Sequence, residues 1–251
     1  MDAAPALLLA DPGWLQLGLV SLLAGLLCLD ETAVAQTWVS QPLPAGVLTG
    51  LLVGDPVLGL AVGLPLQLVM IGNLPVGQSF TGDSTTAVVA VVGAAGAAGV
   101  SLAPALQGQT PAAQGLLGWL LLAAGLLSLA GHRIIQAERS AHDVWMLQGR
   151  LTLRDGSLRR MEFMHLRCLG LTFLRGFAAC LLFTVVLTSW WLPAFSSLDP
   201  RLRTGLSLLP LLLPGIGIGT MVERFGWRRN WSWVAGGALA AFLLARVGGW
   251  A

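Results

Sequence analysis

Lysine is absent from the 251 residues, so the 14 basic side chains are all arginines, and none of them precedes Arg133. Charge of either sign is scarce, at 10% of residues against 55% hydrophobic, with a mean hydropathy of +0.77. Soluble domains carry about 25% charged residues, so this scarcity excludes that class and leaves a polytopic membrane protein. With a formal net charge of only +2, nothing points to nucleic acid. Cys28, Cys168 and Cys180 stand apart in apolar runs, which argues against a disulfide framework or a metal ligand set and for buried thiols. His132, His142 and His165 form no His-x-x-x-His pair. There is also no Cys-x-x-Cys site, Walker loop, dinucleotide fingerprint or Ser-His-Asp arrangement that spacing supports. No catalytic residue, metal or cofactor is therefore expected.

Long apolar stretches fill the space these absences leave. At about 20 residues per crossing, the length holds roughly seven to nine spanning or half-spanning helices, expected to form one all-α membrane domain over residues 1–251. Residues 1–12 carry no basic n-region, so a cleavable signal peptide is not expected. Spans are predicted at Gly13 to Leu29, Thr85 to Leu106, Gly115 to Ile135, Leu166 to Leu192 and Trp231 to Trp250. In the second of these helical stretches, Gly93, Gly96 and Gly99 recur every three residues and offer a face for close helix packing.

Two stretches break this pattern. Between 41 and 84, the apolar runs Leu43 to Val53 and Val57 to Ile71 are each too short to cross a bilayer and are separated by Gly54, Asp55 and Pro56. Irregular backbone at membrane depth is tolerated only where protein or a water-filled cavity satisfies its polar groups, so this re-entrant stretch borders a polar site. Its polar side chains, with those just ahead of it, are Asp30, Glu31, Gln41, Asp55, Gln67, Asn73, Gln78, Thr81, Asp83 and Ser84. Asp55 reads as the cap of a half-helix. Gln67, inside LPLQLVM, needs a hydrogen-bond partner, and helix-to-helix bonding and ligand contact both supply one. The carboxylates all lie at expected helix ends, where capping and partial hydration would keep them ionised. A second Gly/Pro-rich stretch runs from Gly205 to Val222.

Seven arginines lie between Arg133 and Arg167, together with Glu138, Asp143, Asp155 and Glu162. The positive excess places this connector, centred on residues 136–165, in the cytoplasm. It reads as two helical pieces meeting at Asp155 and Gly156, with Ser157 as a cap, and serves either as a solvated link or as a docking surface.

LDETAVAQTWVSQP (Leu29 to Pro42), LTGLLVGDPVLGLAVG (Leu48 to Gly63) and IGNLPVG (Ile71 to Gly77) resemble the IIC component of mannose-family sugar phosphotransferase systems (PTS). More loosely, the Glu138 to Gly176 region, including Phe173-Leu174-Arg175-Gly176, is similar to that family's cytoplasmic helices and following span. The resemblance implies a sugar-translocating subunit of the bacterial inner membrane. It would work in a hetero-oligomer with a IID-like membrane chain and with cytoplasmic IIA and IIB phosphocarriers, which carry out the phosphoryl transfer. By the same resemblance Gln67, Asn73 and Asp83 contact a small sugar and Asp30 supports them. Gln41 and Gln67 stand where the family has Arg and Glu, and Thr81-Gly82-Asp83 stands where it has Pro-Pro-Asp. An amide still donates and accepts bonds to sugar hydroxyls. Read without the resemblance, the residues also admit an ion-coupled small-solute transporter using Asp30, Glu31 or Asp83, or a non-transporting assembly or receptor subunit.

Overall fold

The computed structural model describes residues 13–70, 82–103, 111–153 and 158–247, and every regular element among them is helical. The chain runs through α1 (Trp14–Thr32), α2 (Pro42–Val53), α3 (Pro56–Met70), α4 (Ser84–Ala97), α5 (Pro111–Leu153) and α6 (Leu158–Val186). A π-turn at Leu187–Trp191 leads into α7 (Leu192–Ser197), followed by α8 (Pro200–Leu206), α9 (Leu209–Phe225) and α10 (Trp227–Val247). Among the described residues, Trp14–Glu31, Pro111–Arg150, Leu158–Ser197 and Pro200–Glu223 are long and apolar enough to cross a bilayer.

The break in the first half is built from local chemistry. Gly54 ends α2 in the left-handed conformation, φ 85°, while the Asp55 amide donates back to the Gly50 carbonyl at 2.8 Å. The Asp55 carboxylate then accepts the Leu58 amide at 3.0 Å and so starts α3, the capping role its place before Pro56 suggests. The two half-helices lie backbone to backbone. A Cβ on Gly59 would come within 2.1 Å of the Gly46 carbonyl oxygen, and one on Gly63 within 2.7 Å of the Pro42 oxygen. Small residues therefore let α2 and α3 return to the level they left, as a hairpin.

That hairpin leans on α4, which is the middle of the bundle. Every residue from Thr85 to Ala95 is buried, enclosed by α1, α2, α3, α5 and α6. Gly93 faces Val20 of α1 and Gly96 faces Val53 of α2, so the three-residue glycine spacing serves packing. The third glycine ends the element instead, since Gly99 has φ +68°. α4 is thus 14 residues long, shorter than the span predicted from Thr85 to Leu106; enclosed on all sides, it needs no bilayer-length apolar run.

α5 and the π-turn that follows α6 are joined by Trp119 and Trp191. Their rings stack at 4.1 Å, and each indole N–H donates to the other residue's carbonyl, at 2.9 and 3.3 Å. α8 closes on α5 where Gly115 and Gly118 leave room for the Arg203 and Leu206 carbonyls. In the second Gly/Pro-rich stretch the chain parts at Ser207 and Leu208, ahead of most of the prolines and glycines, and α9 continues through Pro214. Gly217 there admits the Leu68 carbonyl of α3, so this glycine brings helices together. α10 packs on α9 and leaves Trp231, Trp233, Leu239, Phe242 and Leu243 exposed, as a lipid-facing helix does.

Candidate functional site

Polar groups converge where α1 ends, α4 begins and the α2–α3 hairpin opens. The connection after α1 is strained: Ala35, Gln36 and Trp38 have φ of 63°, 53° and 68°. Non-glycine residues held in this region cost about 1–3 kcal/mol each and gather at functional sites. Asp30 ties the strained turn down. Its carboxylate accepts the Thr37 amide and hydroxyl, both at 2.8 Å, and the Ser40 amide at 3.2 Å. Ser40 in turn offers its carbonyl to the Thr85 hydroxyl of α4 at 2.7 Å.

Gln67 faces the same turn from α3. Its carbonyl oxygen accepts the Leu43 amide at 3.2 Å, and its amide group donates to the Gln41 side chain at 3.3 Å. Gln41 and Gln67 are therefore partners of each other. Of the two roles open to Gln67, the structure shows helix-to-helix bonding, from α3 to the start of α2. Asn73, Gln78 and Thr81 lie outside the described residues.

Asp83 departs from the partly hydrated cap expected of it. It does cap α4, accepting the Thr86 amide at 2.9 Å, but its side chain is fully buried. Gly131 of α5 lets it in, since a Cβ there would lie 2.5 Å from the Asp83 Cβ. The charge is met by Arg175 of α6, whose Nη1 donates to Asp83 Oδ2 at 2.6 Å. Arg175 also meets Glu138 of α5 through Nε at 2.5 Å, and its Nη2 lies 4.0 Å from Glu31 of α1. Thr172 donates its hydroxyl to Glu138, and His142 Nε2 stands 3.7 Å from the same carboxylate. One guanidinium, 5% exposed, thus bonds α4 and α5 to α6 and draws in the end of α1. A cavity of about 150 Å³, lined by Glu31, Ile135, Glu138, Arg139, His142, Thr172 and Arg175, opens beside it.

Arg175 and Glu138 were not among the site residues named from sequence. The signal was there: Arg175 is the only charged residue between Cys168 and Leu192, and a lone charge inside an apolar run demands a partner. Asp30, Gln41, Gln67 and Asp83 come together around the first turn of α4, with Asp30 and Asp83 acting through the backbone they hold.

Half-helices, a strained turn and an ion cluster enclosed by spans define an integral membrane protein with a polar site at a broken segment. Residues 14–249 match the family described as the PTS system sorbose-specific IIC component, and the chain belongs to that family. A solved structure described as "Structure of membrane protein" is 16% identical over 94% of this chain and 92% of that one, with a TM-score of 0.73, which shows the shared fold. Among curated proteins no relative matches.

Proposed function

We propose that this chain is the sugar-translocating subunit of a phosphotransferase-type uptake system of the bacterial inner membrane. It binds a small sugar where the α2–α3 hairpin meets the first turn of α4, and releases it inward for phosphorylation by a partner IIB. Residues 1–251 form one membrane domain, which works beside a IID-like membrane chain and the cytoplasmic IIA and IIB phosphocarriers. Membership of the IIC family carries this reading. The hydrogen-bonded Gln41–Gln67 pair supports the place of the site, because paired amides present donors and acceptors suited to a polyol. Asn73 and the Asp83 turn complete the contacts, and Asp30 sets the shape of the rim. The ion-coupled alternative draws on one observation: three carboxylates, Glu31, Asp83 and Glu138, surround Arg175.

Changing Gln67 to Leu is expected to abolish sugar binding by the purified protein with its membrane partner. Stability should fall only modestly, by about 1 kcal/mol, because the variant strands the Leu43 amide and loses one side-chain bond. Calorimetric titration with a panel of hexoses reads the first, and thermal unfolding the second. A well-folded variant that binds and transports like the wild type removes Gln67 from the site.

The connector centred on residues 136–165 faces the cytoplasm in this reading, following its arginines. A cysteine placed at the exposed Ser140 of a Cys-free variant should resist membrane-impermeant thiol reagents in intact cells and react once the cells are opened. Labelling from outside would invert the whole orientation.

A further inference from the structure

α5 is a single helix of 43 residues, about 65 Å long at 1.5 Å per residue, against a bilayer core of about 30 Å. Its second half and the first half of α6 therefore run on beyond the spans as an antiparallel pair. Contacts fix the pairing: Gly149 lies against Met164, Arg167 stacks over Trp145 at 4.1 Å, and Glu138 meets Thr172. A mere spacer would close this seam with small apolar residues. Here it opens into a groove of about 670 Å³, floored by Trp145, Met146, Met161 and Met164, with Arg150 and Glu162 among its lining charges. Methionine adapts its shape to what lies on it and recurs at binding surfaces. Around the groove Val144, Leu147, Phe163 and Leu166 are 55–67% exposed, on a part of the molecule that extends past the bilayer core.

The occupant is constrained by charge and by shape. Between Arg133 and Arg167 there are seven arginines and four carboxylates, Glu138, Asp143, Asp155 and Glu162. Two such hairpins repel each other, which disfavours a second copy of this chain. A bilayer surface is disfavoured by the helix itself: α5 is unbroken from Pro111 to Leu153, so the overhang keeps the direction of the span and does not turn to lie flat on the membrane. We infer that the groove between the overhanging ends of α5 and α6 is the docking surface for a soluble protein partner that presents an apolar ridge bordered by carboxylates. The ridge enters among the methionines, and Arg150 and Arg159 meet its acidic border. For the identity of that partner the inference rests on the reading of the chain as a IIC subunit, which makes it the system's IIB phosphocarrier.

The test is titration of purified IIB onto the full chain in nanodiscs of zwitterionic lipid, in parallel with sugar uptake by cells carrying the same variants. Wild type should bind, and more weakly as salt rises. Met161→Asp and Met146→Asp, at positions 39% and 63% exposed, should fold normally and weaken binding about tenfold or more. Arg159→Glu should weaken binding and flatten its salt dependence, while Ser140→Asp, on the overhang but outside the groove, should change nothing. Wild-type affinity in both methionine variants overturns the docking surface. So does a change in oligomeric state, or in binding to anionic vesicles, that replaces the effect on IIB. In either case uptake that still needs the phosphocarriers leaves the transport reading standing. Uptake that needs no phosphocarrier overturns that reading itself, whichever way the titration falls.

Discussion

Changing Arg175 to Met should destabilise the protein by about 3–5 kcal/mol, the cost of breaking a buried ion pair from one side. The methionine fills much of the arginine's volume, so the loss comes from charge. Asp83 is fully buried and Glu138 is 8% exposed, and both would be left facing an apolar side chain without their guanidinium. Thr172 and the Thr86 amide would still bond to them, which limits the damage without neutralising it. The same logic gives a rescue. Adding Asp83→Asn to Arg175→Met removes one stranded charge and should recover part of the stability, a coupling that a double-mutant cycle on the purified protein measures. An Arg175→Met protein with wild-type unfolding behaviour would mean the cluster is solvated and does not bond the helices together.

A side chain at Gly59 should also be damaging, for a different reason. Its Cβ would sit 2.1 Å from the Gly46 oxygen and 2.6 Å from the Gly46 carbonyl carbon, atoms of a backbone that cannot swing aside. The half-helices must separate, and overpacking of this kind costs about 1–3 kcal/mol even where side chains can yield. Gly59→Ala is expected at the upper end of that range, and Gly59→Val should fail to give a monodisperse protein. Gly18→Ala in α1, where nothing lies within 4 Å, is the control and should be neutral or slightly stabilising. Equal stability of the Gly59 and Gly18 variants would remove the hairpin's close contact from the account.

What could be read from the chain divides along the reach of the interactions. The break at Gly54, Asp55 and Pro56 was legible because stop and start signals act within four residues: a left-handed glycine, a capping carboxylate and a proline at the first helical turn. The long connector is helical on both sides, in α5 and α6, while Asp155, Gly156 and Ser157, where its two pieces are expected to meet, lie outside the described residues. Asp83 was legible as a cap, through its bond to Thr86, but not as one half of an ion pair, because its guanidinium comes from 92 residues further along the chain. Gln67 showed from sequence that it needed a partner; that the partner is Gln41 follows from how the hairpin folds back. Composition overstated the length of α4, since apolar character marks burial in protein as well as in lipid.

Uptake of a labelled hexose tests the central claim most directly. It is measured in cells with and without the soluble phosphocarriers, with phosphoenolpyruvate maintained and a protonophore present. If phosphorylation drives uptake, neither Gln67 nor Asp83 couples it to the proton gradient: Gln67 is an amide, and Asp83 is locked to Arg175. Uptake should therefore require the phosphocarriers and survive collapse of the gradient. Accumulation that proceeds without phosphocarriers, and that the protonophore abolishes, would contradict the account and turn the carboxylates around Arg175 into the coupling site.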